Sequence, residues 1–354
     1  MISKGLSQMF ARLVQLKVLA QCMSLCTLRL GSLLLSITFM TAAPLPGLDV
    51  SVAANTVSDI PEWLRKHVGT SDGQIAPVVL ERARSHYLRK QAEGKVKNSC
   101  YFAMDATRPS TAGKRRLGRR FYIICEAKKS FSAVSSGYGN GRKLRGANFS
   151  NGRQCAKNFG NAEGSNLTTG GLYLTAEARD SFKGYYRAGV KKKKPYLRTF
   201  LLFDGEGDTA NARERAIGGH EALLLRRRCR YKNAKSEHAD DEGYVPLGRL
   251  VNYSSGRSNG CTTWTPSDAQ KILAITKDNP TTLYIYPESG DINAVRKALK
   301  GGRLKKGSKL YWNASCLRAI KSPKFWSKKT LQPIINKWRQ SLPKFTHRPL
   351  RICK

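Results

Sequence analysis

Cys261 stands behind Ser258-Asn259-Gly260, and His220 closes the run Ile217-Gly218-Gly219-His220 upstream of it. A thiol needs a base to become a nucleophile, and its attack on a carbonyl creates an oxyanion that needs donors. His220 is the best-placed base in the chain. The bendable Ser-Asn-Gly run leaves the backbone N–H groups of Gly260 and Cys261 free to converge on one point, where an oxyanion would be held. Behind the cysteine, Thr265-Pro266-Ser267-Asp268 reads as an N-cap, a Pro at the first helical position and an acid in the first turn. The helix it opens runs through Gln270, Ile272, Leu273 and Ile275, and its positive end, within about a turn of Cys261, favours thiolate over thiol. The chemistry these residue types suit is acyl transfer through a thioester. Standing alone, such a cysteine is a small buried apolar residue and such a histidine is structural. The Gly-Gly before His220, the Ser-x-Gly before Cys261 and the cap behind it together favour a reactive thiol.

The elements that must position these residues read mostly as strands. Short β-branched or aromatic runs occur at 100–104, 121–125, 131–134, 172–174, 199–203 and 283–286, divided by Gly, Asn and Ser. Many short strands with Gly-rich turns predict a mainly β fold, an antiparallel sandwich or barrel-like sheet, rather than alternating βαβ units. Two helices precede it, one starting at Ile60-Pro61-Glu62-Trp63-Leu64 and one carrying the stripe Val78, Val79, Leu80, Ala83, Tyr87 and Leu88. His67 and His86 lie on this helical segment and read as surface or packing residues. The chain divides into a secretion signal at 1–43, an N-terminal helical segment at 44–97, a catalytic domain at 98–290 and a basic, aromatic-containing C-terminal extension at 291–354.

Charge and cysteine usage bound the surroundings. The formal net charge is +39, which demands an anionic partner or surface. Lys4, Arg12, Lys17 and Arg29 precede the apolar run Leu30 to Met40 and the small residues Thr41-Ala42-Ala43, the pattern of an export signal. Without Cys22 and Cys26 the exported chain keeps seven cysteines, of which six can pair in an oxidising compartment and the odd one would be the nucleophile. From 294 to the end there are 18 Lys or Arg and no Asp or Glu, interleaved with Tyr311, Trp312, Phe325, Trp326 and Trp338. Such a segment suits an anionic envelope surface, and the export signal makes nucleic acid an unlikely partner. Leu331, Ile334, Ile335 and Trp338 form a helical stripe that docks on the core and leaves a cationic outer face.

Several other motifs have a bland reading. Ser136-Gly137-Tyr138-Gly139-Asn140-Gly141 lacks a P-loop ending and reads as a loop crossing above the sheet. Lys191-Lys192-Lys193-Lys194-Pro195 is a solvated loop before a strand. Asp204, Glu206 and Asp208 resemble part of a calcium loop but lack its remaining ligands, so no metal is expected. His238, within a polar insert, ranks behind His220 as a base. Arg213 and Arg215 either hold substrate carboxylates or pair with Glu206 and Glu214 on the surface.

With Ser258-Asn259-Gly260-Cys261 and the upstream Gly-His, the chain resembles the L,D-transpeptidases, the YkuD-type peptidoglycan enzymes with a Ser/Thr-x-Gly-Cys signature. Met104-Asp105-Ala106-Thr107-Arg108-Pro109-Ser110, Arg120-Phe121-Tyr122-Ile123-Ile124, Phe149-Ser150-Asn151 and Thr169-Gly170-Gly171-Leu172-Tyr173-Leu174-Thr175 resemble, in order, the murein L,D-transpeptidase catalytic domain. The resemblance covers about 100–288. Asn259 stands where the family often has His, Thr263 where it often has Asn or Arg, and the basic insert Arg226-Arg227-Arg228-Cys229-Arg230-Tyr231-Lys232 lengthens the spacer between histidine and serine. What the resemblance implies is an exported, periplasmic enzyme of mostly β fold that acts on peptidoglycan stem peptides without metal or organic cofactor. Cys261 is then the nucleophile, His220 the base, held by a backbone carbonyl near Glu221, and Gly260 an oxyanion donor. Arg257, Ser258, Asn259, Thr263 and Trp264 are the expected substrate contacts, with Ser258 shaping the loop rather than attacking. Papain-like and NlpC-type peptidases place Cys before His, the reverse of this order. The alternative outside enzymology is a cationic envelope- or nucleic-acid-binding protein.

Overall fold

The computed structural model describes residues 60–113, 116–189, 192–254, 256–300, 310–343 and 350–354. The segment read as a secretion signal, residues 44–59 of the N-terminal segment, Lys191 and parts of the basic extension lie outside the described residues. The strands, in chain order, are β1 Cys100–Asp105, β2 Arg119–Cys125, β3 Ser130–Ser135, β4 Tyr138–Gly139, β5 Lys143–Leu144, β6 Ala147–Asn148, β7 Asn158–Gly160, β8 Gly171–Arg187, β9 Lys193–Glu206, β10 Gly218–Glu221, β11 Leu223–Lys232, β12 Tyr244–Asn252, β13 Arg257–Ser258, β14 Thr262–Trp264, β15 Thr282–Tyr286 and β16 Lys324–Trp326. The helices are α1 Glu62–Arg65, α2 Pro77–Ala92, α3 Pro266–Thr276, α4 Ser289–Lys300, α5 Ala314–Ile320 and α6 Lys328–Gln340. Every strand expected from the sequence is present, and all six belong to one sheet.

That sheet has ten strands and runs β14-β10-β9-β8-β15-β1-β2-β3, with β12 joining β8 and β11 joining β12. Most pairings are antiparallel; β1 with β15, β10 with β14 and β12 with β8 are parallel. The architecture is mixed α/β, and in the middle of the sheet it is not a sandwich of two sheets. Strand β1 is buried along its whole length, because helices cover both faces. Tyr101, Ala103, Tyr122, Ile124 and Tyr284 face the α2 residues Val79, Leu80, Ala83 and Tyr87. Phe102, Met104, Phe121, Ile123 and Leu283 face Ile272 of α3, Ile292 and Val295 of α4, and Trp312. Side chains alternate across a strand, so one apolar run supplies two cores. The sequence pattern showed the apolar run but not that both of its faces would be covered by helix.

The basic extension is stitched into this unit rather than appended. Strand β16 pairs in parallel with β7, and α6 buries Leu331 and Ile335 against Phe149, Leu167 and Trp326, with Ile334 and Trp338 partly buried beside them. Two disulfides tie the extension down: Cys155 to Cys316 and Cys229 to Cys353. A third joins Cys100 to Cys125 across β1 and β2. Among the described residues Cys261 is the free cysteine, as the parity argument expects. No helix among them is long and apolar enough to cross a membrane.

Candidate functional site

The site is built on the short parallel pair β10 and β14, where Gly219 lies opposite Thr262 and His220 opposite Thr263. Cys261 precedes β14, two positions from Thr263, so its side chain emerges on the face of the sheet that carries the His220 ring. Strand spacings put the two Cα atoms roughly 8 Å apart. Both side chains line a cleft of about 1010 Å³. Two glycines make this register possible. A Cβ on Gly219 would sit 2.0 Å from the Trp264 ring, and one on Gly218 would sit 2.2 Å from the Leu201 carbonyl oxygen. The Gly-Gly before His220 therefore lets β10 lie flat on a fully buried tryptophan.

The Cys261 loop is fixed from within and from the side. Ser258 Oγ donates to the Cys261 carbonyl oxygen at 2.6 Å and accepts from the Gly260 N–H at 3.1 Å. Gly260 has φ +117°, a conformation that favours glycine. Strand β13 pairs with β4, so the glycine-rich run at 136–141 braces the loop that carries the thiol. The Asn140 N–H donates to the Ser258 carbonyl oxygen at 2.8 Å. The thiol itself donates to the Ala216 carbonyl oxygen at 3.6 Å. Ala216 has φ +50°, a left-handed conformation that is uncommon outside glycine and typical of functional sites.

His220 is held on two sides. Its Nδ1 lies 2.7 Å from the Glu221 carbonyl oxygen, which places the proton on Nδ1 and leaves Nε2 as the basic nitrogen. Its ring stacks on Phe200, centroids 5.6 Å apart. Burial, then the positive charge of Arg198 and to a smaller degree that of Lys183, lower its pKa to about 4, although the Glu221 carbonyl works the other way. Burial also pushes the Cys261 thiol up, against the Gly218 backbone and the charges of Arg198 and Arg215, which favour thiolate. At neutral pH the wall of the cleft therefore carries an uncharged thiol and an uncharged imidazole.

The site departs from several expectations of the sequence. The thiol is not held as thiolate by α3. Three residues of β14 separate Cys261 from the Thr265 cap, carrying the helix end roughly 13 Å away at extended spacing, while burial raises the thiol pKa. The cap itself is as expected, with Thr265 accepting from the Asp268 N–H. The Gly260 N–H is spent on Ser258 rather than aimed at an oxyanion. Trp264 and Thr263 are not substrate contacts: Trp264 is wholly buried against Phe121, and Thr263 is buried under Gly137. Both belong to β14, whose strand continues into the core. Arg257, Ser258 and Asn259 do line the cleft, with Arg257 donating to the Asn151 carbonyl oxygen and Asn259 accepting from Asn166. Arg213 pairs with Glu177 and Asp204, not with Glu206 or Glu214, and Arg215 points inward to Thr169 and the Leu167 carbonyl. Glu206 is engaged by Arg89 and Lys90. His238 stacks on Phe182 away from the cleft, while His86 contacts the Tyr173 carbonyl and His67 stacks on Phe131. Ser255 lies outside the described residues.

The walls of the cleft are not among the residues expected from the sequence. Lys183, Arg198, Phe200, Arg226 and Tyr253 line it, and none stands in a recognisable motif. The signal lies in the register: His220 pairs with Phe200 and Arg198 with Ser181, so two-residue alternation carries the row from His220 to Ser181, and Lys183, at an irregularity of β8, joins it through its hydrogen bond to Ser181. Among the described residues no Asp or Glu lines this cleft, whereas Arg153, Arg179, Lys183, Arg198, Arg226 and Arg257 do. The described residues bring no three His, Cys, Asp or Glu side chains together as a metal site.

No family model matches the chain, and no curated protein matches it.

Proposed function

We propose that this protein is an exported peptidoglycan L,D-transpeptidase, with the catalytic fold and stem-peptide substrate that its resemblance implies. The observation that carries the reading is the meeting of a free, buried thiol and a neutral imidazole on one face of two adjacent strands, at the wall of one cleft. In the first step His220 Nε2 takes the Cys261 proton as sulfur attacks the carbonyl carbon of the third residue of a donor tetrapeptide. General-base activation in the transition state suits a pair that is uncharged at rest. The oxyanion is met by the Cys261 N–H, since the Gly260 N–H is engaged. Collapse breaks the carbon–nitrogen bond, and His220 returns the proton to the departing D-alanine nitrogen. An amine from a second stem, from a protein lysine or from a free D-amino acid then attacks the thioester, C–N forms, C–S breaks, and the thiol is restored; water gives carboxypeptidase activity. The residues call for no metal or organic cofactor in these steps, and the peptidoglycan stem places the protein in the periplasm or envelope. The test is incubation with tetrapeptide muropeptides. The intact protein releases D-alanine and forms cross-linked dimers, and Cys261→Ala does neither; equal inactivity of the two contradicts the reading.

The cationic cleft and the net charge of +39 favour a second reading, a non-catalytic binder of anionic envelope polymer. It predicts binding to such polymer that Cys261→Ala and His220→Ala leave unchanged, with no acyl group on sulfur.

A further inference from the structure

The row of side chains beside His220 ends in two cations, Lys183 and Arg198, that have no counter-ion among the described residues. Arg198 sits two residues along β9 from Phe200, the partner of His220, a diagonal position roughly 7–8 Å away that long side chains span. Ser181 of β8 lies opposite Arg198, and Lys183 Nζ donates to Ser181 Oγ at 2.5 Å, which brings the ammonium onto the same face. The Arg198 Nε is buried with no hydrogen-bond partner among the described residues. Of the six cations lining the cleft, Arg179 alone is in an ion pair among the described residues, with Glu177. Lys183 and Arg198 lie close enough that each lowers the proton affinity of His220, and Arg198 that of Lys183. Two like charges held together against a wall with an unsatisfied buried donor make a site that an anion completes.

We infer that Lys183 and Arg198 form a carboxylate subsite that holds the α-carboxylate of the amino acid whose nitrogen leaves or enters at the thioester, an assignment that rests on the thioester chemistry proposed above. The same imidazole must protonate the leaving nitrogen and deprotonate the incoming one, so by microscopic reversibility both occupy one position beside Nε2. Groups attached to that nitrogen then lie along β9 and β8, toward Arg198 and Lys183. An amine bearing an α-carboxylate gains a charge-assisted pair there; a bare alkylamine brings only its own positive charge into a cationic cleft. The acceptors this wall selects are therefore α-amino acid amines, free or at the end of a stem, over a lysine side chain of a folded protein.

The experiment uses two donors, a stem tetrapeptide ending in alanine carboxylate and the same peptide ending in the carboxamide, and follows the acyl adduct on Cys261 by intact mass. In the wild-type protein the carboxylate donor acylates about tenfold faster or more. Arg198→Gln and Lys183→Gln shrink that ratio, and Arg198→Lys retains part of it because charge is kept. Equal rates for the two donors, or variants that slow both in proportion, overturn the subsite while leaving the thioester chemistry standing. An adduct from neither donor, in protein with native circular dichroism, removes the functional proposal and the subsite with it.

Discussion

His220 ties the chemistry of the site to the stability of the fold. Its folded-state pKa is about 4 against an ordinary 6.5, chiefly because the ring is buried and secondly because Arg198 and Lys183 are close. The unfolded chain therefore binds a proton that the folded protein refuses between these two values. The stabilisation is fully present above pH 6.5 and is lost as pH falls toward 4, an effect of about 3 kcal/mol from the 2.5-unit gap. His220→Gln removes this dependence. The assay is urea unfolding of the wild-type protein and of His220→Gln at neutral pH and at about pH 4. Other titrating groups cancel in the comparison: buried His86 is present in both proteins, and Glu177 and Glu206, held down to about 2 by their basic partners, lose their contribution at lower pH. Wild type loses about 3 kcal/mol more than the variant on acidification. A loss of equal size in both refutes the buried, neutral imidazole. An NMR titration of the His220 ring in wild type gives the same answer if the variant does not fold, with a midpoint near 6.5 as the refuting result.

Other outcomes follow from the packing and the thiol. Gly219→Ala drives a methyl group into the Trp264 ring and costs about 1–3 kcal/mol by overpacking, read as a lowered urea midpoint; an unchanged midpoint shows that β10 does not rest on that tryptophan. Iodoacetamide alkylates Cys261 slowly at neutral pH and faster only above the ordinary thiol range, because burial raises its pKa; rapid alkylation at acidic pH by a preformed thiolate contradicts this. Replacing both Cys155 and Cys316 by Ser opens a bridge across a separation of 161 residues and lowers stability by about 5 kcal/mol on the chain-entropy account, again read by urea unfolding; a loss below about 1 kcal/mol contradicts a constraint of that size.

The chemistry of the site was more legible than its setting. Cys261 and His220 announce themselves because few residue types can act as nucleophile and base, and the flanking glycines mark close backbone approaches. The six apolar runs from 100–104 to 283–286 became strands because β-branched and aromatic residues suit a pleated, packed surface. Hairpin strands β11 and β12 were hidden: Arg226, Arg227 and Arg228 are charged and exposed, and an unburied strand carries little alternation. The fate of Trp264 was hidden too. An aromatic beside a reactive cysteine fits a substrate platform or a core anchor equally, and only the pairing of β14 with β10 turns it inward. Lys183 and Arg198 stand apart from His220 and Cys261 in sequence and reach the cleft wall only through the pairing of three strands. Opposed pairings of this kind are set by tertiary contacts that no local pattern encodes.

The most direct measurement of the central claim is peptide mapping of the protein after brief exposure to a stem tetrapeptide, with acid quenching to preserve thioesters. The expected result is an acyl mass, less the terminal alanine, on the peptide that contains Cys261, absent from Cys261→Ala and strongly reduced in His220→Ala. An unmodified Cys261 peptide alongside full turnover, or an acyl group on another residue, would contradict it.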